Sequence, residues 1–241
     1  MSNTVWEQRG NTFTPGSRSL QTGVIKPGIY KCVNPDDGPW YLERTMDRFT
    51  FPFKVYGNNE GITRRVQTAW DALEVGFGVL LNGLKGTGKT VSAQLLANWA
   101  IDRGMPVLLV HEPCVLSLVL DALEQPAMVV FDEYEKTHAK PEDQHLLLSV
   151  LDGMSRSAHK RLFLFTTNTK KFDENLVDRP SRIRYCWEFE RLSDDVLEML
   201  LDDILDPELA HLRKDIVSYL STRKVLSIDV AKAVIGEVNI F

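Results

Sequence analysis

A chain of 241 residues that is 44% hydrophobic and 25% charged has the profile of an ordinary globular protein with enough apolar material for a core. Its 28 basic and 33 acidic residues leave a formal charge of -5, which excludes the chain-wide basic field of a general nucleic-acid binder; such contact has to be local. The three cysteines lie far apart with no CxxC, no apolar run approaches bilayer length, and the polar start is no signal peptide, so a reduced, cytoplasmic setting without a membrane is expected.

Residues 1 to about 19 mix Asn, Thr, Ser, Gly and Pro without periodicity and predict a flexible arm, or a strand lent to a neighbouring subunit. From Gly23, GVIKPGIYKCV and WYLERTM alternate around the turn-rich NPDDGP, which predicts a β-hairpin. FPFKVYG leads to a helix in which Ile62, Val66, Ala69, Trp70 and Leu73 recur at helical spacing. Strands and helices then take turns. FGVLLNG, PVLLVH, AMVVF, RLFLFTT and RIRYCWEFE read as strands; TVSAQLLANWAIDRG, CVLSLVLDALEQ and PEDQHLLLSVLDGM read as helices. Such apolar runs separated by helices predict an α/β fold with a five-stranded parallel sheet covered on both faces. Beyond Arg191 only helices remain, at SDDVLEMLLDDIL, HLRKDIVSYLS and SIDVAKAVIGEV, which predicts a helical lid.

The strand FGVLLNG runs straight into GLKGTGKT, so that Gly83, Gly88, Lys89 and Thr90 fill the positions of G-x-x-x-x-G-K-[ST] with the required strand before and helix after. Glycines let the backbone curl through Lys85, Gly86 and Thr87, turning N–H groups inward as an anion nest at the N-terminus of the helix that Val91 continues. Lys89 is expected to reach the β- and γ-phosphates of ATP, and the Thr90 hydroxyl to ligate Mg²⁺. AMVVFDE supplies the acidic half: Asp132 at a strand end to hold the Mg²⁺ water shell, and Glu133 to polarise the attacking water. A small-molecule kinase needs no water-activating Glu, so the pair favours hydrolysis.

With these motifs in place the chain resembles an AAA+ ATPase over about residues 54–238. LLSVLDG resembles the helix end that follows the acidic motif in the AAA branch. LFLFTTN resembles the strand carrying the first sensor, which implies that Asn168 orients the lytic water. LVDRPSR resembles the arginine-finger segment and implies that Arg179 and Arg182 complete a neighbour's site. LSIDVAKAV is similar to the lid stretch of AAA proteins, with Asp229 at the matching Asp. The linker residues Tyr56 and Gly57 stand where the family packs on the base. The resemblance implies a homo-oligomer, with six subunits expected, and divides the chain into an arm and hairpin segment at 1–53, a nucleotide-binding core at 54–190 and a lid at 191–241.

Departures shape the functional expectation. No Gly, Phe, Tyr or Trp lies between Val107 and Met128, where AAA unfoldases carry their pore-loop aromatic; in this the chain is like the mitochondrial AAA ATPases that have β-rich structure before the core and no aromatic paddle. The stretch YEKTHAKPEDQH from Tyr134 to His145 is the alternative pore-facing loop. No second-sensor arginine is evident, since Ile228 and Asp229 occupy the expected place, and His111 is a candidate link between the γ-phosphate and Glu133. Basic clusters occur at Arg64 with Arg65 and at SRSAHKR from Ser155 to Arg161, without interleaved aromatics. The expectation is an ATP hydrolase that remodels a protein or nucleoprotein assembly, with an unknown protein target or adaptor favoured over nucleic acid. The alternatives are an ATP-gated scaffold or loader with slow turnover, and a DNA-associated motor of the helicase-loader type.

Overall fold

The computed structural model describes residues 5–16, 24–35, 39–57, 59–111, 116–137, 141–153, 158–169, 182–223 and 226–240. Among these, nine strands form one sheet: β1 (Val5–Arg9), β2 (Thr12–Gly16), β3 (Gly28–Val33), β4 (Tyr41–Met46), β5 (Phe77–Gly83), β6 (Pro106–Leu109), β7 (Ala127–Phe131), β8 (Arg161–Thr167) and β9 (Ile183–Phe189), in the order β1-β2-β4-β3-β6-β7-β8-β5-β9. The five expected core strands are present as β6-β7-β8-β5-β9, all parallel, but the sheet does not stop there. β3 pairs parallel with β6, Gly28 opposite Pro106, and β4, β2 and β1 follow antiparallel. The expected five-stranded sheet is thus corrected to nine strands, six of them consecutive and parallel from β3 to β9. The hairpin read around NPDDGP is β3–β4, and it continues the sheet.

The arm is corrected in the same way. Residues without periodicity form the β1–β2 hairpin, because two aromatic side chains anchor it: Trp6 and Phe13 are each 1% exposed and pack edge-on to Trp40 and Tyr30 at 5.6 Å. Two buried rings in a dozen polar residues give no period that a window could detect.

Helices cover both faces. α1 (Asn59–Ala72) and α2 (Lys89–Asp102) lie over one, in a cluster with Phe77, Val79, Leu162 and Leu164. α3 (Leu116–Ala122) and α5 (Pro141–Gly153) lie over the other with Leu80, Phe131, Phe163 and Phe165, and the arm's aromatics join this second cluster. The short α4 (Tyr134–Thr137) follows β7. Tyr134 is 4% exposed and packs on the Phe165 ring at 5.8 Å, so the stretch expected as a pore-facing loop begins with a core residue and is helical on both sides of 138–140. The lid comprises α6 (Asp194–Ile204), a 3-10 turn (Pro207–Leu212), α7 (Arg213–Ser221) and α8 (Ile228–Val238) around its own core of Leu197, Leu200, Leu220 and Ile235.

Two polar features hold this frame. The Gln125 side chain reads the Ile25 backbone in both directions, accepting from its N–H at 2.7 Å and donating to its carbonyl at 2.9 Å, both buried. Gln125→Leu leaves a buried donor and acceptor unpaired, so it is expected to cost about 1–3 kcal/mol in denaturant unfolding while nucleotide binding is kept. The end of the basic stretch SRSAHKR is also structural. Arg161, 3% exposed, donates to the carbonyls of Leu120, Leu123 and Gln125 at the end of α3, and burial pushes its pKa down to about 10. Lys160 caps the end of α1 through the carbonyls of Trp70 and Leu73 and lies 4.3 Å from the Trp70 ring centre. Cations at helix C-termini satisfy open carbonyls and the helix dipole together. Among the described residues no helix is long and apolar enough to cross a membrane.

Candidate nucleotide site

β5 delivers the chain into the phosphate loop at Gly83, whose φ is 143° and where an added Cβ would stand 1.9 Å from the Phe189 carbonyl oxygen; only glycine lets β9 approach this closely. Gly86 and Gly88 continue with φ of 74° and 101°, and the Thr87 hydroxyl donates to the Leu84 carbonyl at 2.7 Å, closing the loop against the start of α2. Lys89, the first residue of α2, is 5% exposed and reaches back to the carbonyls of Gly83 at 2.8 Å and Leu84 at 2.6 Å. Burial lowers its pKa, an effect opposed by the nearby carboxylates of Glu135, Asp132 and Glu133.

A cleft of about 490 Å³ opens over this loop. It is lined by Lys85, Gly86, Gly88, Lys89, Thr90 and Val91 on its floor, Glu133 and Asn168 at one end, the linker Phe53–Tyr56 at the other, and Ile228, Asp229 and Lys232 of the lid above. The lid is docked on the loop: the Ile228 N–H donates to the Gly86 carbonyl at 3.2 Å, with the Ser227 and Asp229 side chains beside Gly86. The linker ties itself to the lid. Tyr56 is 7% exposed and belongs to the lid core, and Lys54 pairs with Asp203 of α6 at 2.5 Å. Gly57 borders a neighbouring cavity instead, together with Thr87.

The acidic end is ordered by Thr166. Its hydroxyl donates to Asp132 Oδ1 at 2.6 Å and accepts the Glu133 N–H at 2.8 Å, joining the ends of β7 and β8. Glu133 has φ of +50°, the only non-glycine residue with positive φ among those described. A left-handed residue costs about 1–2 kcal/mol, and the bond to Thr166 supports it. The turn separates two neighbouring carboxylates: Glu133 lines the cleft, whereas Asp132 lines a hollow of about 130 Å³ shared with Thr90 and His111. A hydroxyl and a carboxylate converging there are hard oxygen donors of the kind that suits Mg²⁺, with phosphate and water to complete the shell. Among the described residues no group of three or more His, Cys, Asp or Glu could hold a metal, so a cation here would need phosphate and water oxygens besides Thr90 and Asp132. His111 stands beside Asp132 in this hollow and does not line the cleft with Glu133.

Asn168, at the end of β8, donates from Nδ2 to Glu133 Oε1 at 3.1 Å and to Glu135 Oε1 at 2.9 Å, and its backbone N–H also donates to Glu135 at 3.1 Å. Glu135 is thus a positioning residue for Asn168 that sequence reasoning missed; the DEYE spacing, with its third carboxylate, was the available signal. Lys232 was missed as well. It lies one turn beyond Ile228 on α8, on the same face, with its ammonium 5.4 Å from the Tyr56 ring centre and 5.9 Å from that of Phe53. A search for an arginine at positions 228 and 229 passes over it.

The second oxygen of Glu133 is held by Lys136, one turn on in α4, and this pairing is the first cause of the lowered Glu133 pKa. A depressed carboxylate pKa keeps Glu133 in its proton-accepting form to lower pH. Lys136→Met removes that cause and raises the pKa, so the loss of turnover on acidification is expected to begin at higher pH than in the wild type. An unchanged acid limb in the pH–rate profile would mean that the pair has no bearing on the base.

Of the two candidate arginine fingers, Arg179 lies outside the described residues. Arg182 is 6% exposed and forked to Asp152 at the end of α5, through Nε to Oδ1 at 2.7 Å and Nη2 to Oδ2 at 2.8 Å, and it does not line the cleft of its own chain.

A phosphate loop between strand and helix, a carboxylate pair at the end of β7 and an asparagine bonded to it at the end of β8, all at the C-terminal edge of a parallel sheet, define a P-loop NTPase. The family model for Novel STAND NTPase 3 matches residues 62–205, from α1 to the first lid helix, and the chain belongs to that family. The match is to a STAND family and adds nothing for the AAA branch that the motifs resemble. Among solved structures the chain is similar to the Aeropyrum pernix Orc1 protein in complex with DNA, with a TM-score of 0.52 and 19% identity over 77% of this chain and 59% of that one, a likeness of fold. A short stretch of 38 residues is 50% identical to a probable thymidylate kinase of Pyrococcus horikoshii, covering 16% of this chain and 18% of the kinase. The chain therefore spans less than two thirds of either relative.

Proposed function

We propose that the chain is an ATP hydrolase that works as a homo-oligomer, with six subunits expected, and couples MgATP turnover to remodelling a protein or nucleoprotein assembly. The observation that carries this reading is the convergence, in one cleft, of Lys89 and Thr90 from the phosphate loop, Glu133 with Asn168 at the far end, and Lys232 from the lid. Lys89 supplies charge for the phosphates, Glu133 accepts the proton of the attacking water, and Asn168 fixes the Glu133 carboxylate. Thr90 and Asp132 are the proposed Mg²⁺ ligands. Val55 and Tyr56 border the base, with Gly57 beside them. Arg179 and Arg182 are proposed to act on a neighbour's γ-phosphate, Arg182 only by releasing Asp152. The division into an N-terminal segment at 1–53, a core at 54–190 and a lid at 191–241 belongs to the same reading, as does a cytoplasmic setting.

The lid contact favours coupling. Since Ile228 bonds directly to Gly86, a change at the phosphate loop is felt by α8, and through Asp203 and Tyr56 by the linker and α6. The test is to trap Glu133→Gln with ATP and weigh the particle by light scattering. A defined oligomer that forms only with ATP is expected; a monomer under these conditions overturns the assembly reading. The scaffold alternative predicts the same oligomer with little wild-type turnover. The DNA-associated alternative has one observation in its favour, an arginine-lined groove beside α1.

A further inference from the structure

Of the two basic clusters in the sequence, one has Lys160 and Arg161 absorbed by the fold, since they cap helix ends. The other is not. Arg64 and Arg65, exposed on α1, meet Arg184, exposed on the sheet-edge strand β9, in an open groove of about 580 Å³. Arg65 and Arg184 lie over the same Tyr185 ring, 5.4 and 5.9 Å from its centre. Both distances are within the range of a cation–π contact, which restrains the two guanidiniums without using their N–H donors. No ion pair joins any of the three to a carboxylate among the described residues, in contrast to Arg48, Arg103, Arg182 and Arg213, each of which is paired. Three like charges gathered with no ion-paired carboxylate among the described residues repel one another, and an anion bound among them relieves that repulsion.

The shape narrows the anion. The groove shares Gly61 and Arg65 with a second cavity of about 430 Å³, whose lining includes Glu188 and Glu190 beside Arg191, so a polyanion is held to the α1–β9 groove itself. From Ala72 to Gly61 the helix alone gives a track about 17 Å long at 1.5 Å per residue. That suits a chain of evenly spaced charges. Besides the arginines its walls are Gly61, Thr68, Ala69 and Ala72, with Leu73 and the Tyr185 ring the only large apolar side chains, and the Tyr185 ring lies under two of the guanidiniums.

We propose that the α1–β9 groove binds the phosphodiester backbone of a nucleic-acid strand through Arg64, Arg65 and Arg184. It reads charge and not sequence, because forked donors to phosphate position a strand without touching base edges. Arg64, Arg65 and Arg184 do not line the nucleotide cleft, so the proposal does not depend on the hydrolysis reading.

Fluorescence anisotropy of the full chain with a labelled oligothymidylate, in the absence of ATP, tests this. Three neutralised phosphates give a slope of about -2 for log affinity against log salt, at roughly -0.7 per contact for single strands. Arg64→Ala with Arg184→Ala is expected to bring the slope near -0.7 and to weaken binding at least tenfold at low salt. Arg103→Ala, an exposed arginine paired with Asp71, is expected to leave binding unchanged. All three positions are exposed, and retained ATP binding and circular dichroism confirm that the variants are folded. No binding at low salt overturns the proposal, as does binding that the double variant leaves intact. Displacement of the oligonucleotide by polyglutamate at equal charge concentration also overturns it, since it would mark the groove as a dock for an acidic protein segment.

Discussion

Lys89→Met is expected to lower nucleotide turnover by a factor of about 10²–10³ and to weaken ATP binding, the loss found when one pre-organised donor is removed from a developing charge. Lys89 is buried at the base of the loop and held by the Gly83 and Leu84 carbonyls, so its ammonium is already placed before phosphate arrives. Methionine keeps most of the apolar stem and the start of α2, so circular dichroism should be unchanged while calorimetric titration with ATP loses its signal. Phosphate release at the wild-type rate would mean that the cleft above the loop is not the reaction centre.

Glu133→Gln is expected to reduce turnover by about 10²–10⁴, the usual contribution of a positioned general base, with ATP affinity kept. The amide retains an oxygen for the Asn168 Nδ2 donor and the bond from its backbone N–H to Thr166, so the strained turn stays in place. What it loses is basicity and the ion pair with Lys136. Single-turnover phosphate release measures the chemistry, and nucleotide titration measures binding; a fall in both together would assign Glu133 to binding. The difference between the two variants locates the roles. Lys89→Met should fail to assemble with ATP, whereas Glu133→Gln should accumulate the assembled, ATP-loaded species.

How much was legible follows from how local each signal is. The phosphate loop is eight consecutive residues with fixed spacing between a buried strand and a helix, and the structure builds it where the motif stands. Asp132 and Glu133 were found because they end an apolar run. Glu135 and Lys232 were not, since each acquires its place only when β7 meets β8, or when the lid lands on Gly86. The basic stretch near Arg161 misled for a related reason. Charge in a sequence reads as surface, and nothing in the local pattern tells that three carbonyls at the end of α3 will enclose that guanidinium.

By itself the sequence determined the alternation of apolar strands and helices, the phosphate loop and the acidic strand end, because hydrophobic period and glycine-dependent backbone turns are properties of neighbouring residues. The tertiary structure decided that the arm is not free but adds strands beyond β6, since the packing of Trp6 and Phe13 on Trp40 and Tyr30 depends on contacts between segments far apart in the chain. It also decided which cations are committed and which remain. Lys160 and Arg161 are drawn inward by helix ends, while Arg64, Arg65 and Arg184, 120 positions apart at the extremes by the numbering, are brought to one groove by the pairing of β9 with β5. A net charge of -5 describes the chain, and the fold gathers three exposed arginines, none in an ion pair among the described residues, in one groove.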